Sequence, residues 1–186
     1  MAPLSLIWML VPILSGGTGD NSCFPPEAGI DAFRSAWFCR QLNAAHEERL
    51  SGELAYRFSY IPSFHATRVV VAFKAVGRLV VIGKVLDGRG GYEPGGLAHT
   101  TRRLLSDVEW RLLEQRLENA GLWEPPDRDD RSLTDGAEWV LEGRKDGRHS
   151  FRAVHSPTDS TFPQYRKVCA YMLELADITP GAEDLY

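Results

Sequence analysis

The sequence predicts an α+β protein with a mainly antiparallel sheet of about five to six strands and about three flanking helices. Strand-like segments are grouped, beginning with the apolar alternation over residues 54–60. Helix-like segments lie before, between and after these groups. The pair Asp146-Gly147 adds a two-residue turn signal of the kind that joins antiparallel strands. We therefore expect one α+β domain over residues 31–178.

The composition indicates a globular protein, since 44% of the 186 residues are hydrophobic and 25% are charged. Its 21 Lys and Arg against 25 Asp and Glu give a net charge of −4. No broad positive field is available for a phosphate backbone, so we expect no nucleic-acid partner. Three cysteines without paired C-x-x-C spacing favour neither a metal centre nor a disulfide-rich scaffold.

The amino terminus is predicted to be a secretory signal covering residues 1–17. Its apolar run is about 11 residues long, roughly 16 Å as a helix, against the ~30 Å of hydrocarbon that a spanning helix crosses. Ser15 and Gly17 fit a signal-peptidase site, which leaves Thr18 as the mature start. We expect an exported protein, periplasmic or secreted, with no stable transmembrane span. An uncleaved membrane tether, a mis-assigned start and a buried segment are the alternatives, because the segment lacks Lys and Arg and Pro12 interrupts it.

Residues 18–30 contain two consecutive prolines and are predicted to form a linker. A helix follows from Asp31, a favourable N-cap, to about Gly52. Its apolar side chains gather on one side, namely those of Phe33, Trp37, Phe38, Leu42 and Ala45. The alternation over residues 54–60 then predicts a strand with one buried face, ended by Pro62.

Two further segments, residues 69–73 and 79–86, carry apolar side chains on both faces and are predicted to be central strands covered on two sides. Gly77 supplies a permissive backbone for the turn between them. Residues 87–96 hold five glycines and one proline, which predicts a long loop. A strand over residues 98–104 follows it.

The second half begins with a capping box, Ser106 with Glu109, which starts a helix that Gly121 ends in a left-handed conformation. A charged loop covers residues 125–134. Strands over residues 139–144 and 148–154 then form the hairpin. Its register places Trp139 opposite Val154, Val140 opposite Ala153 and Glu138 opposite His155.

A final helix over residues 161–176 places Cys169 in the middle of its apolar stripe, so Cys169 is predicted to be a core thiol. A disulfide from Cys169 to Cys39 or Cys23 is the alternative that the sequence leaves open. Residues 179–186 are predicted to be a tail.

The sequence contains six distinctive short motifs: YRF at residues 56–58, FH at 64–65, KVLDG at 84–88, GYEPG at 91–95, DGAEWVLEG at 135–143 and HSP at 155–157. Together they resemble a group of small exported bacterial proteins of unknown function, over residues 32–178. The resemblance implies export and a single domain. It transfers no catalytic residue, cofactor or substrate to this chain.

The glycine-rich loop is the first candidate site, because long loops held on a rigid sheet often carry function. Asp87, Tyr92 and Glu93 are predicted to line its polar rim. The loop lacks the G-x-x-x-x-G-K-[ST] pattern of a phosphate cradle. A plain inter-strand connection is therefore the competing interpretation.

Two histidines are further candidates, because imidazole titrates near neutral pH and can act as a base or a ligand. His65 follows Pro62 in a loop, where a local hydrogen bond is the simpler interpretation. Glu138 can orient the imidazole of His155 across the hairpin, either within a catalytic group or as a structural ion pair. No serine lies in the G-x-S-x-G context of a hydrolase.

The acidic loop offers no metal site, although Asp127, Asp129, Asp130 and Asp135 are close in sequence. Arg131 and Ser132 occupy positions at which a calcium-binding EF-hand loop requires a ligand and a glycine. Among the five tryptophans, Trp123 next to Pro125-Pro126 is expected to be the exposed one.

These observations predict a non-catalytic binding or interaction module of the cell envelope, with no cofactor and with a protein or small molecule as its partner. One alternative is a small hydrolase that uses His65 or the Glu138 and His155 pair. Another is an inhibitor or immunity-type protein whose acidic surface and Trp123 meet a basic target.

Overall fold

The computed structural model describes residues 54–90, 93, 95–125 and 135–186. Over these ranges the chain forms a six-stranded sheet and two α-helices, and a short 3₁₀-helix follows at Ala182–Asp184. The strands are β1 (Leu54–Pro62), β2 (Arg68–Ala75), β3 (Arg78–Leu86), β4 (Leu97–Leu104), β5 (Ala137–Lys145) and β6 (Arg148–His155), and the helices are α1 (Asp107–Asn119) and α2 (Pro163–Leu175).

The strand order is β4-β3-β2-β1-β5-β6, and every neighbouring pair is antiparallel. The first four strands form a meander, and β5 then adds on the free side of β1. The predicted α+β class is confirmed, with a single domain. The structure describes two of the three expected helices. The helix predicted over residues 31–52 lies outside the described ranges.

The β5–β6 hairpin has the predicted register, with Trp139 opposite Val154 and Glu138 opposite His155. Its turn residues Asp146 and Gly147 have φ values of 52° and 74°. Positive φ at both central residues is what a type I′ turn requires, and Asp-Gly adopts it readily. The local turn chemistry therefore sets which side chains meet across the two strands.

Both α-helices pack on one face of the sheet, which we call the helical face. Trp139 is fully buried at its centre, with ring centroids 5.4 Å from Phe58 and 5.5 Å from Tyr60. The other buried residues of this face and its helices include Tyr56, Val70, Val81, Leu113, Leu117, Leu141, Val168, Met172 and Leu173. Aromatic rings from β1 and β5 thus form the centre of the core.

The other face of the sheet, which we call the opposite face, is also buried. On β1 it carries Ala55, Arg57 and Ser59, whose exposed fractions are 1%, 3% and 0%. The prediction that β1 buries one face was therefore wrong. Alternation of polar and apolar residues shows which side chains are polar, but not whether they are exposed. Arg57 can be buried because it forms an ion pair with Glu142 on the neighbouring strand β5. Pro62 is the last residue of β1, so the strand ends where the sequence predicts.

Cys169 is confirmed as a core thiol, since it is fully buried and free. Its burial raises the pKa of the thiol well above the ordinary value. Cys23 and Cys39 lie outside the described residues.

The predicted capping box of α1 is also confirmed. The Ser106 side chain accepts a hydrogen bond from the Glu109 amide at 3.2 Å, and Glu109 accepts one from the Ser106 amide at 2.8 Å. At the other end Gly121 has a φ of 68°, as expected for a left-handed stop. The Arg103 guanidinium hydrogen-bonds the Glu109 carboxylate, and with the Ser106 amide it lowers the pKa of Glu109 to about 2.

Glu109 is expected to make the free energy of unfolding decrease as the pH falls below about 4.5. Its pKa is lowered on folding, so its stabilising contribution is complete above the ordinary pKa of 4.5 and disappears as the pH falls towards 2. Glu109→Gln should cost about 1 kcal/mol at pH 7 and flatten the acid limb of urea unfolding midpoints measured against pH. Glu118→Gln, at an exposed position of the same helix, is the control. Equal acid limbs for the two variants would contradict the assignment.

Candidate functional site

One end of the sheet carries the candidate residues that are far apart in sequence. Because neighbouring strands are antiparallel, β1, β3 and β6 finish where β2, β4 and β5 begin. We call this the loop end. His65 lies in the β1–β2 connection, Asp87 and Glu93 lie in the β3–β4 connection, and Glu138 and His155 lie at the adjoining ends of β5 and β6. Tyr92 lies outside the described residues.

The β1–β2 connection is fixed to its neighbours on two sides. The Ser63 amide donates to the Gly136 carbonyl at 2.8 Å, and the Gly90 amide donates to the His65 carbonyl at 3.0 Å. A Cβ added at Gly90 would overlap the Pro62 carbonyl oxygen. Glycine is therefore required for the close approach of the two loops.

The glycine-rich loop closes on itself. The Asp87 side chain accepts a hydrogen bond from the Gly96 amide at 2.7 Å. The amides of Arg89 and Glu93 donate to each other's carbonyls at 2.6 and 3.1 Å. These amides are used within the loop and do not point at a common anion position. This geometry favours an inter-strand connection, with the Asp87 and Glu93 side chains exposed on its outside.

Glu138 and His155 form a pair on the opposite face, in which His155 is buried and Glu138 is partly buried. Nδ1 of His155 lies 3.0 Å from Oε1 of Glu138, and Nε2 lies 3.0 Å from the Asp135 carbonyl oxygen. A carbonyl oxygen only accepts, so Nε2 carries a proton and donates it there. Both ring nitrogens are engaged and His155 is 8% exposed. The pair can fix the start of β5 to the end of β6, but its imidazole has no lone pair ready to take a proton from a substrate.

His65 has a different environment. Its Nδ1 lies 3.3 Å from Oδ1 of Asp184, and its ring meets the Tyr186 ring edge-on at a centroid distance of 5.6 Å. The side chains of His65 and Asp184 are 39% and 40% exposed. Asp184 belongs to the stretch predicted to be a tail. No pattern in the sequence links it to His65, because the contact depends on where the 3₁₀-helix packs.

Residues 184–186 are held against the helical face by hydrogen bonds from three elements. Tyr60 donates its hydroxyl to the Asp184 carbonyl, and the Trp139 indole donates to the Tyr186 carbonyl at 2.9 Å. Arg166 donates to the Leu185 carbonyl at 3.0 Å. Burial raises the pKa of Tyr60 to about 12, so its hydroxyl remains a donor at neutral pH.

The two histidines therefore belong to different faces of the sheet. Glu138 pairs with Ile61 on the opposite face, whereas the Asp184 contact of His65 is anchored by Tyr60 on the helical face. A hydrolase needs its acid, base and nucleophile within hydrogen-bond reach of one another. The candidate residues lie at the same end of the sheet, but the side chain of His65 is on a different face from the pair Glu138 and His155.

Two aromatic residues differ from what the sequence indicated. Trp123, expected to be exposed, is partly buried against the core, with its ring 6.4 Å from Tyr56 and the Arg148 guanidinium 5.3 Å above it. Phe64, which the sequence analysis did not single out, is 51% exposed at the loop end. The position of Phe64 in the loop directly after β1, next to His65, could have indicated from the sequence that its side chain is exposed.

No family model, curated protein or solved structure matches this chain. Within the described part of the chain, His, Cys, Asp and Glu side chains form no group of three or more that would hold a metal ion. Neither described helix has the length and apolar character needed to cross a membrane.

Proposed function

We propose that this protein is a non-catalytic interaction module of the cell envelope that recognises a protein partner through its loop end. One observation carries the proposal. An aromatic side chain, Phe64, is held half in solvent on a connection whose backbone is fixed by Ser63 and His65 through hydrogen bonds to neighbouring loops.

A rigid exposed aromatic residue is suited to binding. Binding energy at protein interfaces is concentrated in a few residues, often aromatic, that are surrounded by polar residues which exclude water. At the same end of the sheet, the side chains of Asp87, Arg89 and Glu93 are exposed, and His65, next to Phe64 in the chain, is half-buried. Because hydrogen bonds already hold the backbone on both sides of Phe64, at Ser63 and His65, little conformational entropy of this connection is lost when the partner docks.

The envelope location rests on the sequence of residues 1–17 and on the resemblance to exported bacterial proteins. Intact-mass measurement of the protein purified from its native host tests this part. Cleavage after Gly17 supports it, and retention of Met1 in a cytosolic fraction contradicts it.

Photo-crosslinking tests the interaction itself. A benzophenone amino acid at position 64 should capture one polypeptide in living cells, whereas the same group at Leu104 should not. Leu104 is a matched control because it is 58% exposed on β4, at the other end of that strand. With the captured partner purified, Phe64→Ala should weaken binding at least tenfold, which corresponds to about 1.4 kcal/mol, and Leu104→Ala less than twofold.

Equal capture at both positions, or unchanged affinity for Phe64→Ala, would overturn the proposal. The half-exposed His65 and Asp184 pair favours a hydrolase as the second candidate function. A hydrolase panel that shows turnover lost in His65→Ala or Asp87→Ala would establish that alternative instead.

A further inference from the structure

Three apolar side chains at one corner of the sheet are exposed to solvent. Val76, in the turn between β2 and β3, has an exposed fraction of 102%, and Leu104 and Val108 have exposed fractions of 58% and 65%. Leu104 ends β4 beside the start of β3, and Val108 lies in the first turn of α1. We call this corner, made of residues 74–78 and 102–111, the turn corner. It carries an apolar surface that is open to a partner.

Val76 also has an unfavourable backbone conformation. Val76 and Gly77 have φ values of 48° and 73°, close to those of Asp146 and Gly147 in the turn between β5 and β6. The first position of such a turn favours Asn, Asp or Gly, and positive φ is rare for a β-branched residue. Val76 therefore destabilises the folded chain through its backbone while its side chain buries nothing. An outlier of this kind indicates a role other than folding.

The turn corner is basic, although the whole chain has a net charge of −4. It contains five Lys and Arg residues and two acidic residues. Arg103 and Glu109 form an ion pair at 2.9 Å, which leaves Asp107 as the second acidic group. The four other cations belong to exposed side chains, those of Lys74, Arg78, Arg102 and Arg111. The exposed apolar groups are therefore accompanied by an excess of positive charge.

We propose that the turn corner binds the surface of an anionic lipid bilayer. Valine and leucine side chains enter the acyl region of such a surface, while Arg and Lys keep their charges at the lipid phosphates. The tip of the turn is open enough to insert, since a Cβ added at Gly77 would meet no atom within 4 Å. A protein partner fits less well, because interface energy is concentrated in Trp, Tyr and Arg, whereas Val and Leu are under-represented.

Binding through the turn corner would orient the protein on the membrane. Phe64 lies at the loop end, on the other side of β2, whose eight residues span about 26 Å. A bound molecule would therefore present Phe64 away from the bilayer, where a protein partner can reach it. The turn corner and the loop end use different residues, so either proposal can fail without the other.

Co-sedimentation with lipid vesicles tests the proposal on the protein as purified from its host. Vesicles of phosphatidylcholine with about 30% phosphatidylglycerol should bind it at least tenfold more strongly than pure phosphatidylcholine vesicles, and about 0.5 M NaCl should remove most of this difference. Val76→Asn should weaken binding to the anionic vesicles about tenfold. Because Asn is favoured at this turn position, the same variant should raise the urea unfolding midpoint. Weaker binding by a more stable protein separates a membrane role from a folding role.

The positive charge is tested separately. Arg78→Glu combined with Arg102→Glu should weaken binding to the anionic vesicles about tenfold. Two matched controls should bind like the parent. Leu97→Asn replaces an apolar residue that is 50% exposed at the loop end of β4, and Lys167→Glu reverses an exposed charge on α2. Every variant carries the same amino terminus, so the comparison between variants isolates the turn corner.

The proposal is overturned if Val76→Asn binds anionic vesicles as well as the parent, or if the two controls lose as much binding as the turn-corner variants. Capture of one polypeptide by a benzophenone amino acid at position 76 in living cells would also overturn it. In that case the occupant of the turn corner would be a protein with an acidic surface.

Discussion

Replacing Arg57 with methionine is expected to lower the free energy of unfolding by about 3–5 kcal/mol. Arg57 and Glu142 are 3% and 2% exposed and form an ion pair between β1 and β5. Without the guanidinium, the partner that remains for the Glu142 carboxylate among the described residues is His149, at 3.5 Å. A buried carboxylate without its cation has a large desolvation cost. Urea unfolding followed by circular dichroism measures the change.

Two further variants distinguish the buried charge from a general effect of mutation. Arg57→Met combined with Glu142→Leu should return to within about 1 kcal/mol of the parent protein, because the double change removes both charges. Lys145→Met breaks an ion pair with Glu114 whose side chains are 36% and 24% exposed, and should cost less than about 1 kcal/mol. If the double variant is as unstable as Arg57→Met, the buried pair is not the cause.

Replacing Trp139 with alanine is expected to have an effect of similar size, about 3–5 kcal/mol. The side chain is fully buried between Phe58 and Tyr60, so its removal leaves a large cavity at the centre of the core. The change also removes the indole donor to the Tyr186 carbonyl. We therefore expect lower stability together with faster amide exchange over residues 184–186.

Trp139→Phe separates the two effects, because it fills most of the cavity but cannot donate the hydrogen bond. It should cost less than Trp139→Ala in urea unfolding and yet release residues 184–186 to a similar degree. An increase in exchange with Trp139→Ala alone would show that packing, and not the indole N–H, holds this segment in place. The contact between His65 and Asp184 should weaken in both variants, because Asp184 lies within the released segment.

The sequence was most informative where short-range chemistry fixes the backbone. The Ser106 and Glu109 capping box, the Gly121 stop and the Asp146-Gly147 turn are all confirmed. Each depends on residues at most three positions apart, so the pattern contains the whole interaction. The same turn determined the register that places Glu138 opposite His155.

The sequence was least informative where a property depends on a distant partner. The polar residues on one side of β1 indicated an exposed face, yet Arg57 is buried because Glu142 lies beside it on a strand that follows much later in the chain. Trp123 was expected in solvent and packs near Tyr56 and Arg148. Phe64 was not singled out, since exposure of one aromatic residue in a loop is decided by the loops around it.

The candidate site depends partly on short-range patterns and partly on contacts between distant segments. Local signals placed His65, Asp87 and Glu93 in loops and Glu138 and His155 in a hairpin. Their common position at the loop end follows from the strand order β4-β3-β2-β1-β5-β6. Which face each side chain occupies, and that Asp184 reaches His65, follow from tertiary packing.

By itself the sequence determined the α+β class, the helix caps, the hairpin register and the apolar strands β2 and β3, because propensity, capping and side-chain alternation act between residues that are near each other in the chain. The tertiary structure alone decided that both faces of β1 are buried, that His65 and His155 lie apart, and that residues 184–186 complete the core. These depend on contacts between segments far apart in sequence, whose energies exist only once the sheet has formed.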